Sequence, residues 1–318
     1  MWNYADIWES IAQAIPDQPA QIKGERRVSW AEFDRRADAL ARRLLDLGLK
    51  RDSKVAAYLY NCPEYLETYY AAFKGGFTPV NTNYRYVADE LIYLFDNADA
   101  EAVVFDAAFA ATVDQIRARL PKVRAWIALA APGVPAPPFA ENYDTVVAER
   151  GGRAMPPWGR SGEDILILYT GGTTGMPKGV MWRLDDLFQV LGGGGNLVMG
   201  LPPISRPEEA AERVAAALNG GDPTFAPQTT VAAAPLMHGT SQFTGIMALT
   251  NGGAVASLPS ISFSAVELWS EVERLRAGAI SIVGMAFAQP MLEALDAEPG
   301  RWDLSSLRRI GSSGTVWS

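Results

Sequence analysis

A single cysteine, Cys62, stands among 318 residues. An internal disulfide framework is therefore excluded, and a reducing compartment suits the chain. Positive charge is also scarce: 28 Lys and Arg against 36 Asp and Glu leave a formal net charge of -8. That balance argues against wrapping a nucleic-acid backbone, which needs clustered cations. The opening run, Met1-Trp2-Asn3-Tyr4-Ala5-Asp6-Ile7-Trp8-Glu9, lacks a basic stretch followed by an apolar core. No export signal is expected, and a cytoplasmic location is. From Pro223 to Val266 there is no Asp, Glu, Lys or Arg. The run is nevertheless broken by Pro227, Pro235, His238, Gln242, Asn251, Gly252, Gly253 and Pro259. No clean span of about 20 apolar residues survives, so a buried core with a lined cavity is expected there instead of a transmembrane segment.

What remains is the composition of a globular enzyme-sized chain, long enough for one large α/β domain or two medium ones. Ser29-Trp30-Ala31-Glu32 has the form of a capping box and opens a helix through Leu45, with Phe33, Ala37, Leu40, Ala41, Leu44 and Leu45 on one face. A strand is predicted over 54–59, a helix over 63–74 stopped by Gly75-Gly76, a helix over 88–95 and a strand over 102–105. After two proline- and glycine-rich connections, 131–138 and 150–157, a strand over 164–170 runs into a glycine-rich turn. Strands over 230–233, 254–258, 280–283 and 307–310 then alternate with helices over 241–249 and 264–276. Such alternation predicts βαβ units around mainly parallel sheets, an α/β fold.

The most informative segment is Tyr169-Thr170-Gly171-Gly172-Thr173-Thr174-Gly175-Met176-Pro177-Lys178-Gly179-Val180. Glycines let successive backbone N–H groups approach an anion, threonine hydroxyls add donors, and Lys178 adds a mobile cation. These are the parts needed to hold a polyphosphate. The Walker-type motif, Gly-x-x-x-x-Gly-Lys-Ser/Thr, does not fit, because Pro177 and Gly179 occupy two of its fixed positions. A plain Gly/Thr-rich surface hairpin is the alternative.

This run resembles the phosphate-binding signature of adenylate-forming enzymes: acyl-CoA synthetases, luciferases and adenylation domains. Gly171 stands where the family usually has Ser, and the Gly-Gly form continuing into Met181-Trp182-Arg183 is similar to actinobacterial long-chain or steroid side-chain acyl-CoA synthetases. Asn61-Cys62-Pro63-Glu64-Tyr65, Gly75-Gly76-Phe77-Thr78-Pro79-Val80-Asn81 and Asn83-Tyr84-Arg85-Tyr86 extend the resemblance over the whole chain. It implies the N-terminal domain of such an enzyme, with αβαβα-type subdomains over about 1–180 and 181–318 and a mobile C-terminal domain absent.

The resemblance also implies the chemistry. A carboxylic acid, long or ring-bearing, reacts with ATP to give acyl-AMP and pyrophosphate, and coenzyme A then takes the acyl group. Thr170, Gly171, Gly172, Thr173, Thr174, Gly175 and Lys178 would hold ATP phosphates. Mg²⁺ would bridge phosphate oxygens with Thr173 as its protein contact, so Thr173 and Lys178 count as catalytic. His238 is by itself an ordinary core or capping histidine. In the family's place it becomes the residue that orients the carboxylate, with Gly239, Thr240, Gly284 and Met285 lining the acyl pocket. Ser313, Gly314 and Thr315 stand where relatives stack adenine, in place of the usual Gly-Gly-Ala-Pro. Residues 1–318 alone are expected to have little activity, since relatives carry a glutamate, an aspartate and a lysine further on. A fatty acyl-AMP ligase that uses no coenzyme A and a non-catalytic nucleotide- or lipid-binding module are the alternatives. A homodimer is compatible with all three.

Overall fold

In the computed structural model, which describes residues 2–131, 133–172, 175–193 and 201–314, strand–helix alternation builds two sheets. Two compact units carry them. One comprises Met1–Asp6, Phe33–Tyr60 and Glu64–Val190; the other comprises Ile7–Glu32, Asn61–Pro63 and Leu191–Ser318. The division therefore differs from a simple one near residue 180: the strands Pro19–Lys23 and Arg26–Ser29 extend the second unit's sheet.

The first unit's sheet has the order Glu141–Asn142, Ala125–Leu129, Ala100–Asp106, Lys54–Tyr58, Thr78–Asn81, Ile165–Gly172, Gly175–Arg183. All neighbours are parallel except the last pair. Val55, Ala56, Ala57, Val103, Val104 and Phe105 are fully buried, as continuous apolar runs must be in a sheet covered on both faces. The helix Trp30–Asp46 starts as its capping residue requires, with Ser29 Oγ accepting from the Glu32 N–H at 3.2 Å. The helix Pro63–Gly75 stops at Gly76, whose φ of +65° suits glycine and where a Cβ would meet Trp158 Nε1 at 2.8 Å.

The second unit's sheet runs Arg309–Ser312, Ala279–Ile282, Thr229–Ala232, Ala254–Ser257, Pro19–Lys23, Arg26–Ser29. It is parallel apart from the Pro19–Lys23/Arg26–Ser29 pair. Val231, Ile280, Ile282, Leu268, Trp269 and Val272 fill its core. The predicted strand over 307–310 lies two residues later, because Leu307 N–H closes a turn on Leu304 and pairing begins only as Arg308 and Arg309 N–H reach the Gly278 carbonyl. Helices Tyr4–Ala14, Pro207–Leu218 and Met285–Ala297 go beyond the sequence reading. Pro290 inside the last of them obscures its periodicity. Among the described residues no helix is long and apolar enough to cross a membrane.

Beside the first sheet lies a buried ionic cluster. Lys74, fully inaccessible, pairs with Asp34 at 2.8 Å and Asp38 at 2.9 Å. Arg36 pairs with Glu67 at 2.9 Å and Glu64 at 3.4 Å, and Tyr143 donates its hydroxyl to Glu67 at 2.8 Å. Burial pushes the Glu67 carboxyl up to about 7; Glu64 adds to the rise, while Arg36 and the Tyr143 hydroxyl oppose it. The folded state thus binds this proton more tightly than the unfolded chain does. The resulting stabilisation is complete below the ordinary glutamate value of 4.5 and is lost as pH climbs through about 7. Urea unfolding across that window should show this decline in the wild type, and Glu67→Gln should flatten it. A variant with the same slope as the wild type would assign the proton elsewhere.

Candidate functional site

In the first unit the strands Ile165–Gly172 and Gly175–Arg183 form a hairpin, with Thr170 opposite Lys178 and Gly172 opposite Gly175. Its base is fixed at several points. Asp164, just before the first strand, accepts from Arg51 at 2.8 Å, from Asn3 at 3.0 Å and from the Ser161 N–H at 2.8 Å. Asn81, at the end of its own strand, donates to the Tyr169 carbonyl at 2.9 Å and accepts from the Tyr169 N–H at 2.5 Å. The Tyr169 hydroxyl donates to Asn97 at 2.6 Å, and that of Tyr93 to the Pro177 carbonyl at 3.3 Å.

Thr170, Gly171 and Lys178 are exposed at the open end, and Lys178 has no acidic partner among the described residues. Thr173 and Thr174 lie outside the described residues. A Cβ on Gly171 would meet nothing within 4 Å, whereas one on Gly179 would strike Ile167 Cγ2 at 2.8 Å and the Tyr169 ring at 2.9 Å. Gly171 is therefore open to a ligand, and Gly179 serves packing across the hairpin. An exposed, unpaired lysine beside an open glycine backbone suits a polyphosphate. For Mg²⁺ the described residues supply no group of three or more His, Cys, Asp or Glu side chains, and Thr173, its expected contact, lies outside them.

In the second unit, three connections gather at the carboxyl ends of the parallel strands. His238 is the N-cap residue of the helix Gly239–Thr250; its carbonyl accepts from the Gln242 N–H at 3.0 Å, and its imidazole is exposed and makes no cap bond. Thr240 Oγ1 reaches Ser313 Oγ at 2.5 Å. Gly284 has φ 58° and ψ -158°, a conformation essentially reserved for glycine, and its N–H donates to Ser312 Oγ at 2.9 Å. Met285 follows, 39% exposed. The structure thus brings His238, Gly239 and Thr240 together with Gly284, Met285, Ser313 and Gly314; Thr315 lies outside the described residues.

The approach to this corner depends on Asn61, whose role as a clamp the sequence reading missed. Its amide donates to the carbonyls of Ala232 at 3.3 Å and Ala234 at 3.1 Å, and its oxygen accepts from the Leu236 N–H at 2.7 Å. Lys23 in turn holds the Asn61 carbonyl at 3.0 Å.

A cavity of about 190 Å³ lies in the same unit, lined partly by the charge-free run, through Phe225, Thr230, Met247 and Asn251 among others. The residues expected at the acyl pocket, His238, Gly239, Thr240, Gly284 and Met285, do not line it. Thr240 instead directs its hydroxyl to Ser313 and its carbonyl to the Thr244 hydroxyl at 2.6 Å. The cavity begins one turn later, on Thr244, Met247, Ala248 and Asn251. Their spacing along one helix face was the signal available in the sequence.

The fold is that of the N-terminal domains of adenylate-forming enzymes. A structure of the inhibitor-bound N-terminal domain of FACL13 from Mycobacterium tuberculosis superposes with a TM-score of 0.78 at 21% identity, covering 100% of this chain and 71% of that one. The anthranilate CoA ligase AuaEII in complex with anthranoyl-AMP does so at 0.78 and 18%, with 99% and 55% covered. The AMP-binding enzyme family matches residues 8–318, and the chain belongs to it. It is 34% identical over 325 residues to a medium/long-chain-fatty-acid–CoA/3-oxocholest-4-en-26-oate–CoA ligase of Mycobacterium tuberculosis, covering 99% of this chain and 56% of that protein. To the 3-oxocholest-4-en-26-oate–CoA ligase of Rhodococcus rhodochrous it is 33% identical over 331 residues, again covering 99% and 56%. The chain therefore spans little more than half the length of these relatives.

Asn61→Ala should leave the Ala232, Ala234 and Leu236 backbone groups without their partner and destabilise the second unit by about 1–3 kcal/mol. Gly179→Ala should cost about 1–3 kcal/mol by overpacking, while Gly171→Ala should leave stability unchanged. Equilibrium urea unfolding of the three variants checks both statements. Equal effects at Gly171 and Gly179 would contradict the packing role given to Gly179.

Proposed function

We propose that the full-length protein activates a carboxylic acid with ATP to an acyl-AMP and passes the acyl group to coenzyme A. The observation that carries this reading is the Thr170–Lys178 end of the hairpin, an exposed cation and open glycine backbone on a base fixed by Asn81 and Asp164. ATP supplies the activated phosphorus and the departing pyrophosphate. Lys178 neutralises charge that builds on that leaving group, and the Gly171 and Gly172 backbone lies within reach of its oxygens. His238, exposed at the head of its helix, orients the acid's carboxylate. Backbone at Ser313 and Gly314 forms the platform for adenine, steadied by the Thr240 hydroxyl.

The acid's tail lies in the cavity below the His238 corner. A dry cavity of about 150 Å³ accepts benzene, so about 190 Å³ accommodates roughly seven or eight carbons. Relatives are named for medium- and long-chain fatty acids and for a steroid side-chain acid. The volume favours a medium-length aliphatic portion within that range.

ATP–pyrophosphate exchange by the full-length protein, across straight-chain acids of increasing length, tests the reading. Exchange should be greatest near the eight-carbon acid, and Lys178→Ala should lower its kcat on the order of 10²–10³-fold, the usual loss for one well-placed donor at developing charge. Undiminished exchange in Lys178→Ala would remove the hairpin from the phosphate site.

A further inference from the structure

Arg309 opens the last described strand, at the end of the second unit's sheet opposite the His238 corner. It pairs with Ala279, the first residue of the neighbouring strand, and Ser312, which holds the Gly284 N–H, follows three residues later. A strand advances about 3.3 Å per residue, so Arg309 lies about 10 Å from the corner along the sheet. The cavity runs from Arg309 toward that corner as far as Gly311 and Thr244, one helical turn short of Thr240. Arg309 and Gly311 line it from the strand, and the Gly239–Thr250 helix lines it with Thr244, Met247, Ala248 and Asn251.

Two cations border this cavity, and they differ in kind. Arg213 is fully engaged: it pairs with Glu209 at 2.5 Å, donates to the carbonyls of Pro202 at 2.6 Å and Pro203 at 2.9 Å, and lies over the Phe225 ring. Arg309, half-buried, has no acidic partner and no side-chain hydrogen bond among the described residues. Burial holds its guanidinium below the usual arginine range, whereas carboxylate partners raise Arg43, Arg206 and Arg274. Among the described residues no Asp or Glu lines the cavity. Of the polar side chains that line the cavity with the two arginines, Thr244 is committed to the Thr240 carbonyl and Asn251 to the Met247 carbonyl at 2.8 Å, and the remaining three, Thr224, Gln228 and Thr230, are neutral. A partly desolvated cation at the foot of an apolar cavity is relieved by an anion that arrives with the ligand.

We propose that Arg309 reads a second, distal carboxylate on the acid, so that the protein takes medium-chain dicarboxylic acids in preference to monocarboxylic acids of the same length. The inference rests on the reading of this cavity as the acyl pocket. With the reacting carboxylate at the His238 corner, the methylenes lie against Met247, Ala248 and Ile280. The far carboxylate then meets the guanidinium, whose paired N–H donors match its two oxygens. Gly311, without a side chain, keeps the path between the two ends open.

The test is ATP–pyrophosphate exchange by the full-length protein with octanoate and octanedioate, in wild type, Arg309→Met and Arg309→Lys. A charge-assisted hydrogen bond contributes on the order of ten- to a hundredfold. The wild type should therefore favour octanedioate in kcat/KM by at least about tenfold. Arg309→Met should lose that advantage through KM while retaining octanoate exchange, which also reports a folded variant. Arg309→Lys, keeping the charge without the planar fork, should retain part of it. A wild type that prefers octanoate, or equal losses for both acids in Arg309→Met, would make Arg309 a solvated strand-end residue and overturn the proposal. Exchange with neither acid would overturn the acyl-pocket reading itself, and this inference with it.

Discussion

Both parallel sheets end in the same difficulty. At their carboxyl edges the strands run into connections whose backbone N–H and C=O groups have left the ladder and still need partners. Each unit answers with an asparagine. Asn81 exchanges two hydrogen bonds with Tyr169, and Asn61 holds Ala232, Ala234 and Leu236 with three. A carboxamide donates from its nitrogen and accepts at its oxygen, two atoms far enough apart to serve a carbonyl and an N–H together; an aspartate in either place would set negative oxygen against carbonyls. The Thr170–Lys178 hairpin and the His238 corner hang from these two amides.

Much of the fold was legible because it is local. The Ser29 cap, the Gly75-Gly76 stop and the buried runs at 54–58 and 102–105 each follow from neighbouring residues, and the structure has them where periodicity puts them. The site was legible less evenly. The Thr170–Lys178 run announces itself by composition, while His238, by itself an ordinary core or capping histidine, is singled out only by the family resemblance. The Asn61 clamp does not, since Asn61 and Ala232 are 171 residues apart and nothing in either stretch names the other. The cavity's wall on that helix was hidden for the same reason, beginning one turn after the residues the sequence singles out. Whether Thr240 faces the cavity depends on a serine more than 70 residues away that takes up its hydroxyl.

The placement of charge separates scaffold from site. In the first unit, buried cations are matched by carboxylates, Lys74 by Asp34 and Asp38, Arg36 by Glu67 and Glu64. Such pairs are poor sources of net stability, but breaking one leaves an uncompensated charge inside, so they hold a fixed arrangement against alternatives. Lys178 and Arg309 lack that matching. Each is a cation set against glycine or apolar surface, with no carboxylate partner among the described residues.

The Tyr169–Gly179 contact has a further consequence, for the kinetics of capture. The ring lies across the facing strand where no side chain intervenes, its hydroxyl is tied to Asn97, and its backbone is tied to Asn81. The arms of the hairpin are thereby ordered before any ligand comes. Fewer torsions of the arms would remain to be frozen on binding an anion, so the entropic penalty of association is reduced. Encounter then needs little rearrangement of the arms, and electrostatic attraction to Lys178 acts on a target already in position.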